Sequence, residues 1–208
     1  MYKIEFTPFI GPNYDKSKFK LLVLGESHYA PGLIIKSVDP FEIQRRLNFT
    51  NEIVTKYLNY KNNNGSFEHY MNTFTKFANV LSGRNLNSNE IVDFWSEVAF
   101  YNYVQVPTSS SRESPLKIDF DNSIDAFKEV CMNLKPNFIV FWGERLYKHF
   151  PENYFRPELI DNTFSLNILK FDIEFAFMYV LHPSSTRFNH QNSIGSINYF
   201  NKVRNHLS

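Results

Sequence analysis

Apolar positions along the chain alternate between short unbroken runs and longer stretches of helical period. Phe19–Leu24 is apolar apart from Lys20 and ends in Gly25, and Phe138–Trp142 is apolar throughout and ends in Gly143. Such runs suit buried parallel strands, which are covered on both faces. Val98–Val106 is rich in β-branched and aromatic residues, is stopped by Pro107, and reads as a further strand. Thr163–Leu169 and Glu174–Leu181 are strand-like as well, separated by the polar break Lys170–Asp172.

Between these runs the spacing turns helical. Pro40–Tyr60 carries Phe41, Leu47, Ile53, Val54, Tyr57 and Leu58, and a second helical pattern covers Phe67–Leu81 after the turn Asn62–Gly65, so two helices are predicted between the first strand and the second. Ile124, Phe127, Val130, Cys131 and Leu134 define another helix, which stops before Pro136 because a residue preceding proline disfavours the helical region. Glu144–Phe150 predicts a short helix ended by Pro151, and Gln191–Leu207 a closing one.

Strands alternating with helices predict one α/β domain over residues 1–208, with a mainly parallel sheet covered on both faces by its crossovers. Ligands of such sheets bind beyond the carboxyl ends of the strands. The loops to search for chemistry are therefore Gly25–Gly32, Val106–Pro115, Gly143–Tyr147 and His182–Asn189.

Charge narrows the partners. Against 21 acidic residues stand 22 Lys and Arg, a net charge of +1, which excludes a strong overall attraction to nucleic acid. A local basic face remains open, from Arg45-Arg46, Arg112 with Lys117, Arg187, or Lys202 with Arg204. The single cysteine, Cys131, excludes an internal disulfide and a thiolate metal site, reads as a small core residue, and fits a reducing compartment. No apolar stretch reaches the roughly 18–20 residues of a membrane span, so a cytoplasmic protein without a membrane partner is expected. The sequence does not fix an oligomeric state.

Three features carry candidate chemistry. Gly25-Glu26-Ser27-His28-Tyr29 gathers a carboxylate, a hydroxyl, an imidazole and a phenol directly after a buried strand. His182-Pro183-Ser184-Ser185 holds a histidine at a strand end by a proline turn. Between them, Asn102 is an amide within an apolar strand, where an Asn is costly unless its hydrogen bonds are met, either by the backbone or by a ligand edge.

In this order and at these strand ends, the three features resemble the uracil-DNA glycosylase superfamily. Its members carry a Gly-Gln-Asp-Pro-Tyr-His or Gly-Glu-Ala-Pro-Gly loop, a mid-chain Asn strand and a late His-Pro-Ser loop. Lys135–Gly143 is similar to the family's proline-preceded third strand, and the resemblance runs from about Phe19 to Asn189. It implies an α/β/α sandwich around a parallel sheet of about four strands, acting on a base flipped out of single- or double-stranded DNA. By the same resemblance Asn102 reads the base edge and His182 bonds the base oxygen as it gains charge. Tyr29 excludes a 5-methyl group, Gly25 and His28 belong to the base-binding loop, and Ser184, Ser185 and Arg187 meet the DNA backbone. No cofactor or metal is implied.

The first loop departs from the pattern. The water-activating Asp of one branch falls on Ser27, which cannot serve as a carboxylate base, whereas Glu26 matches the acidic residue of the other branch and becomes the candidate to orient water. One cysteine cannot ligate that branch's iron–sulfur cluster. No aromatic is placed to stack on the base; Phe41 is the candidate. Two alternatives stand beside a glycosylase: a catalytically inactive relative that binds nucleic acid or a nucleotide-like ligand, and an SGNH-type serine esterase with Ser27 as nucleophile and His182 as base. Against the esterase, its Asp three residues before the histidine would fall on Tyr179.

Overall fold

The computed structural model describes residues 3–30, 32–33, 37–110, 113–161 and 164–207. Arg112 and Thr163, assigned above to a basic cluster and to a strand start, lie outside them. Along the chain the elements are β1 (Phe9–Ile10), β2 (Leu21–Gly25), α1 (Pro40–Lys61), α2 (Met71–Leu81), α3 (Ser88–Ser96), β3 (Val98–Asn102), α4 (Lys117–Leu134), β4 (Phe138–Trp142), α5 (Glu144–His149), β5 (Phe155–Asp161), β6 (Phe164–Lys170), β7 (Glu174–Val180) and α6 (Ile194–Leu207).

The chain is an α/β protein, but its sheet is larger than the four parallel strands expected. Seven strands lie in the order β1-β3-β2-β4-β7-β6-β5. The central four, β3-β2-β4-β7, are parallel. β1 joins one edge antiparallel, and β6 and β5 extend the other edge antiparallel. The extension has a local cause: the Lys170–Asp172 break is a tight reversal, closed by the Phe171 N–H donating to Ile173 O, so β6 returns directly into β7. β5 hides in the sequence because an edge strand tolerates Pro157 and an exposed Leu159.

The pleat sorts the apolar runs onto two faces. Leu21, Val23, Val98, Phe100, Phe138, Val140, Trp142, Met178 and Val180 join one buried cluster with residues of α1, α2, α3 and α6. Leu22, Leu24, Ala99, Tyr101, Ile139, Phe141, Phe175 and Phe177 join the other with α4 and α5. Cys131 is fully buried in this second cluster, as a core residue should be. Helices thus cover both faces, the three-layer arrangement that parallel crossovers impose.

Several boundaries differ from expectation. Among the described residues three helices, not two, separate β2 from β3; α3 opens on an Asn87–Glu90 capping box, a polar signal that hydrophobic spacing does not register. β3 stops at Asn102 rather than at Val106, because the buried Gln105 side chain donates back to Asn102 O and accepts from the Glu5 and Phe6 N–H groups, turning the chain out of the sheet. α4 starts at Lys117, ahead of the periodic residues, and ends before Pro136 as expected, with Lys135 left-handed and its N–H on Cys131 O. The closing helix begins at Ile194 rather than at Gln191, after a turn that its polar composition conceals.

The order of the central strands sets where a ligand can enter. From β2 the chain crosses to β3 on one side and then returns to β4 on the other, so the crevice beyond the carboxyl end of β2 lies between diverging connections. Gly25, Asn102 and Trp142 end β2, β3 and β4 there.

Candidate functional site

A cleft of about 640 Å³ opens at this carboxyl end. All ten residues singled out from the sequence line it: Gly25, Glu26, Ser27, His28, Tyr29, Asn102, His182, Ser184, Ser185 and Arg187. Phe49, Ile53, Tyr70, Phe74, Phe100, Trp142 and Leu181 supply an apolar wall. Phe41, the sequence candidate for stacking, is not part of it: at the first turn of α1 it is 73% exposed.

The loop after β2 is stitched into the protein. The N–H groups of Tyr103 and Val104 donate to Gly25 O and Glu26 O at 2.9 and 2.8 Å, and the Thr108 N–H donates to His28 O at 2.8 Å. Gly25 is required here by close approach, since a Cβ at this position would stand 2.1 Å from Asn102 Oδ1. The loop's backbone directs His28 inward rather than into the cleft mouth. Its ring is buried, with edge contacts to Phe6 and Phe49 at 4.8 and 4.9 Å between centroids.

Both nitrogens of His28 are engaged, Nδ1 with Asn102 Nδ2 at 3.0 Å and Nε2 with Thr50 Oγ1 at 2.9 Å. An amide nitrogen only donates, so Nδ1 accepts and the proton sits on Nε2. Burial lowers the pKa of His28 to about 3, leaving it neutral at physiological pH. Asn102, buried as its position in an apolar strand demands, is satisfied in part by this imidazole, which the sequence did not pair with it.

Glu26 lines the same cleft as His182 and is held by Arg145. The guanidinium grips both carboxylate oxygens, Nε at 2.7 Å from Oε2 and Nη2 on Oε1, while Nη1 donates to Ser114 Oγ. Arg145 thereby ties the loops after β2, β3 and β4 together, and the hydrogen bond to Glu26 raises its own pKa. Ser27 lines the cleft, and no side-chain hydrogen bond joins it to another described residue. Tyr29 stands half-exposed at the mouth.

The loop after β7 is a compact turn. The Ser185 N–H donates to His182 O at 2.8 Å, Pro183 is buried, and Lys76 of α2 donates to Ser185 O. The Ser184 N–H donates to His182 Nδ1 at 3.2 Å, and Ser184 Oγ lies 2.7 Å from the same nitrogen. Nδ1 is therefore an acceptor, and the neutral ring carries its proton on Nε2. The protein packed around the ring lowers its pKa, Glu26 opposes that shift and Arg145 reinforces it. Gly143, at φ +104°, a backbone conformation glycine adopts freely, begins the loop after β4 beside His182: a Cβ at this position would stand 3.5 Å from His182 Cβ.

Among the described residues, the basic face left open by the sequence is not gathered at the cleft. Arg46 is buried and paired with Glu5 at 3.0 Å, and Lys117 is paired with Asp121. Arg204 lies in a pocket with Leu21 and Val98, at the opposite end of the strands. Of the described residues among those named, only Arg187 reaches the cleft, joined there by Arg145.

Residues missed by the sequence reading are Arg145, Thr50, Phe49, Phe74 and Trp142. Arg145 had a signal, two residues past a strand-ending Gly143. Thr50 had a fainter one, a polar residue in the helical register of the buried Val54 and Tyr57. Among the described residues no group of three or more His, Cys, Asp and Glu could hold a metal ion, and no helix is long and apolar enough to cross a membrane. No family model matches this chain, and no curated protein matches it in sequence.

Proposed function

We propose that this protein hydrolyses the N-glycosidic bond of a base flipped out of DNA, uracil or a close relative of it. The observation that carries this is the presence, within one cleft, of a neutral histidine donor, His182 Nε2–H, and a clamped carboxylate, Glu26. Breaking a glycosidic bond puts negative charge on the base and positive charge on the sugar. A donor aimed at the base oxygen and a carboxylate beside the sugar stabilise both ends at once, and donors already in place at the transition state are the largest single catalytic contribution. A water held by Glu26 would add to the sugar carbon and pass a proton to that carboxylate, while the base departs as an anion with the bond's electrons. Each Glu26 oxygen accepts one N–H from Arg145 and keeps a lone pair for that water. The aromatic wall offers faces for a base, Asn102 offers an edge, and Ser184, Ser185 and Arg187 at the rim are suited to phosphate.

One observation favours a second reading, the catalytically inactive relative. The bidentate Arg145 clamp occupies one lone pair on each Glu26 oxygen and leaves less of the carboxylate for water, and Ser27 occupies the place of the Asp that activates water in the enzymes this loop resembles. The esterase draws no such support. No hydrogen bond joins Ser27 to His182 among the described residues, and the second nitrogen of His182 is taken by Ser184 rather than by a carboxylate. Cleavage of single- and double-stranded oligonucleotides carrying one uracil, read by alkaline strand scission, separates the two. Release that is lost in Glu26→Gln and His182→Ala establishes the hydrolase; tight binding without release establishes the binding protein.

A further inference from the structure

Asn102 and His28 constrain one another. An imidazole nitrogen either accepts or donates, and each end of an amide does only one of these, so the tautomer of the ring and the orientation of the amide must agree. Here His28 Nδ1 faces Asn102 Nδ2 at 3.0 Å and His28 Nε2 faces Thr50 Oγ1 at 2.9 Å. Turning the amide over would set Oδ1 against the Nδ1 lone pair, two acceptors in a buried site, unless the ring also moved its proton. Phe6 and Phe49 hold the ring at its edges, and Thr50 is fully buried on α1, so the ring has no room to swing away. At the other end of the amide, Oδ1 occupies the space that a Gly25 side chain would fill, and both residues line the cleft.

We infer that His28, backed by Thr50, is a positioning residue that sets which end of the Asn102 amide faces the cleft and thereby selects the class of base bound there. This rests on the cleft being a base site. With one N–H of the amide spent on His28, Asn102 keeps its second N–H beside Oδ1. That donor–acceptor pair matches an edge with a carbonyl oxygen next to a ring N–H, the lactam edge of uracil, thymine and hypoxanthine. Against the amino group and bare ring nitrogen of cytosine or adenine it sets donor to donor and acceptor to acceptor. His28 touches no substrate in this scheme; it acts through Asn102. Sites built to bond a polar edge reject a mismatched one strongly, because buried polar groups are then left unpaired.

The test is binding of uracil, hypoxanthine, cytosine and adenine, each as the single unpaired base in an otherwise identical duplex, to the wild type, to His28→Phe and to Thr50→Val, with folding checked by melting. Phenylalanine fills the space between Phe6 and Phe49 but cannot accept from Asn102. The wild type is expected to prefer the two lactam bases by at least about tenfold, and His28→Phe to bring the four within about threefold of each other. Loss of fold stability alone would weaken all four equally and leave the ratio unchanged. Thr50→Val leaves the Nε2 proton without an acceptor and is expected to erode the ratio in the same direction, which covers the case of an unstable His28 variant. Nitrogen-15 spectra of wild-type His28 should show the Nε2–H tautomer at neutral pH. A protonated Nδ1 overturns the inference, as does a folded His28→Phe that keeps the wild-type ratio while the base site itself survives. A wild type that binds none of the four overturns the base site, and this inference with it.

Discussion

The loops after β2 and β7 each bring a histidine to the same cleft, and they hold it in opposite ways. His28 is buried, bonded at both nitrogens and fixed by backbone pairing between the loops after β2 and β3. His182 is bonded at one nitrogen only, within its own turn, and is exposed on the cleft side. A ring with both nitrogens occupied can orient a neighbour but cannot present a proton to a ligand, whereas a ring with one nitrogen tied and the other open can. The sequence shows two histidines after two strands, and only their surroundings divide the work between them.

The largest expected effect tests this division directly. His182→Ala should lower base release by roughly 10²–10³-fold, the usual cost of removing one donor aimed at developing charge. Melting should change by less than about 1 kcal/mol, because the ring packs at an exposed edge. Turnover within a few-fold of wild type, measured on the preferred oligonucleotide, would break the comparison.

Stability in acid sharpens the other half. His28 titrates near 3 when folded and near the ordinary value of 6.5 when unfolded, so between these values the unfolded chain binds more protons. Its contribution to stability is therefore complete above pH 6.5 and is lost as pH falls toward 3, by on the order of a few kcal/mol over the window. Denaturant midpoints measured from pH 7 to pH 4 should fall steeply for the wild type and less steeply for His28→Phe. Parallel slopes would mean that the ring is not buried as a neutral group.

Gly25→Ala carries the next effect. The added Cβ would lie 2.1 Å from Asn102 Oδ1 and 3.0 Å from Phe100 Cζ, so the amide has to move off His28. The expected cost is about 1–3 kcal/mol in melting, from overpacking and a strained buried hydrogen bond. A neutral substitution would show that the link between the two loops is loose.

What could be read in advance follows the same contrast. The parallel core was legible because β2 and β4 are unbroken apolar runs, and the cleft was legible because polar residues directly after such runs have one place to go. β5 was not, since an edge strand needs only half a pattern, nor was α3, whose start is a polar capping box. Within the site, Glu26, Asn102 and His182 were each visible as polar groups at strand ends. Their partners were not: Thr50 and Arg145 lie 22 and 119 residues from His28 and Glu26, and such pairings are products of topology. Asn102 shows the consequence, because a buried amide bonded to His28 is part of the fold as well as of the site.

The smallest effect decides what Arg145 does for Glu26. Its side chain is half-exposed, so the pair should contribute only about 0–1 kcal/mol to stability, and Arg145→Lys should leave melting almost unchanged. Lysine keeps the positive charge but cannot grip two carboxylate oxygens with a planar fork, nor reach Ser114 at the same time. If Glu26 must be aimed, turnover should fall roughly tenfold while affinity for substrate DNA changes little, the pattern of an interaction made chiefly in the transition state. If Glu26 needs only a neutralising neighbour, the lysine variant should match the wild type, and Arg145→Gln alone should be impaired. Either result also bears on His182, because Glu26 and Arg145 push its pKa in opposite directions. Removing the positive charge in Arg145→Gln should move the acid limb of the pH–rate profile upward, while Arg145→Lys should leave it in place.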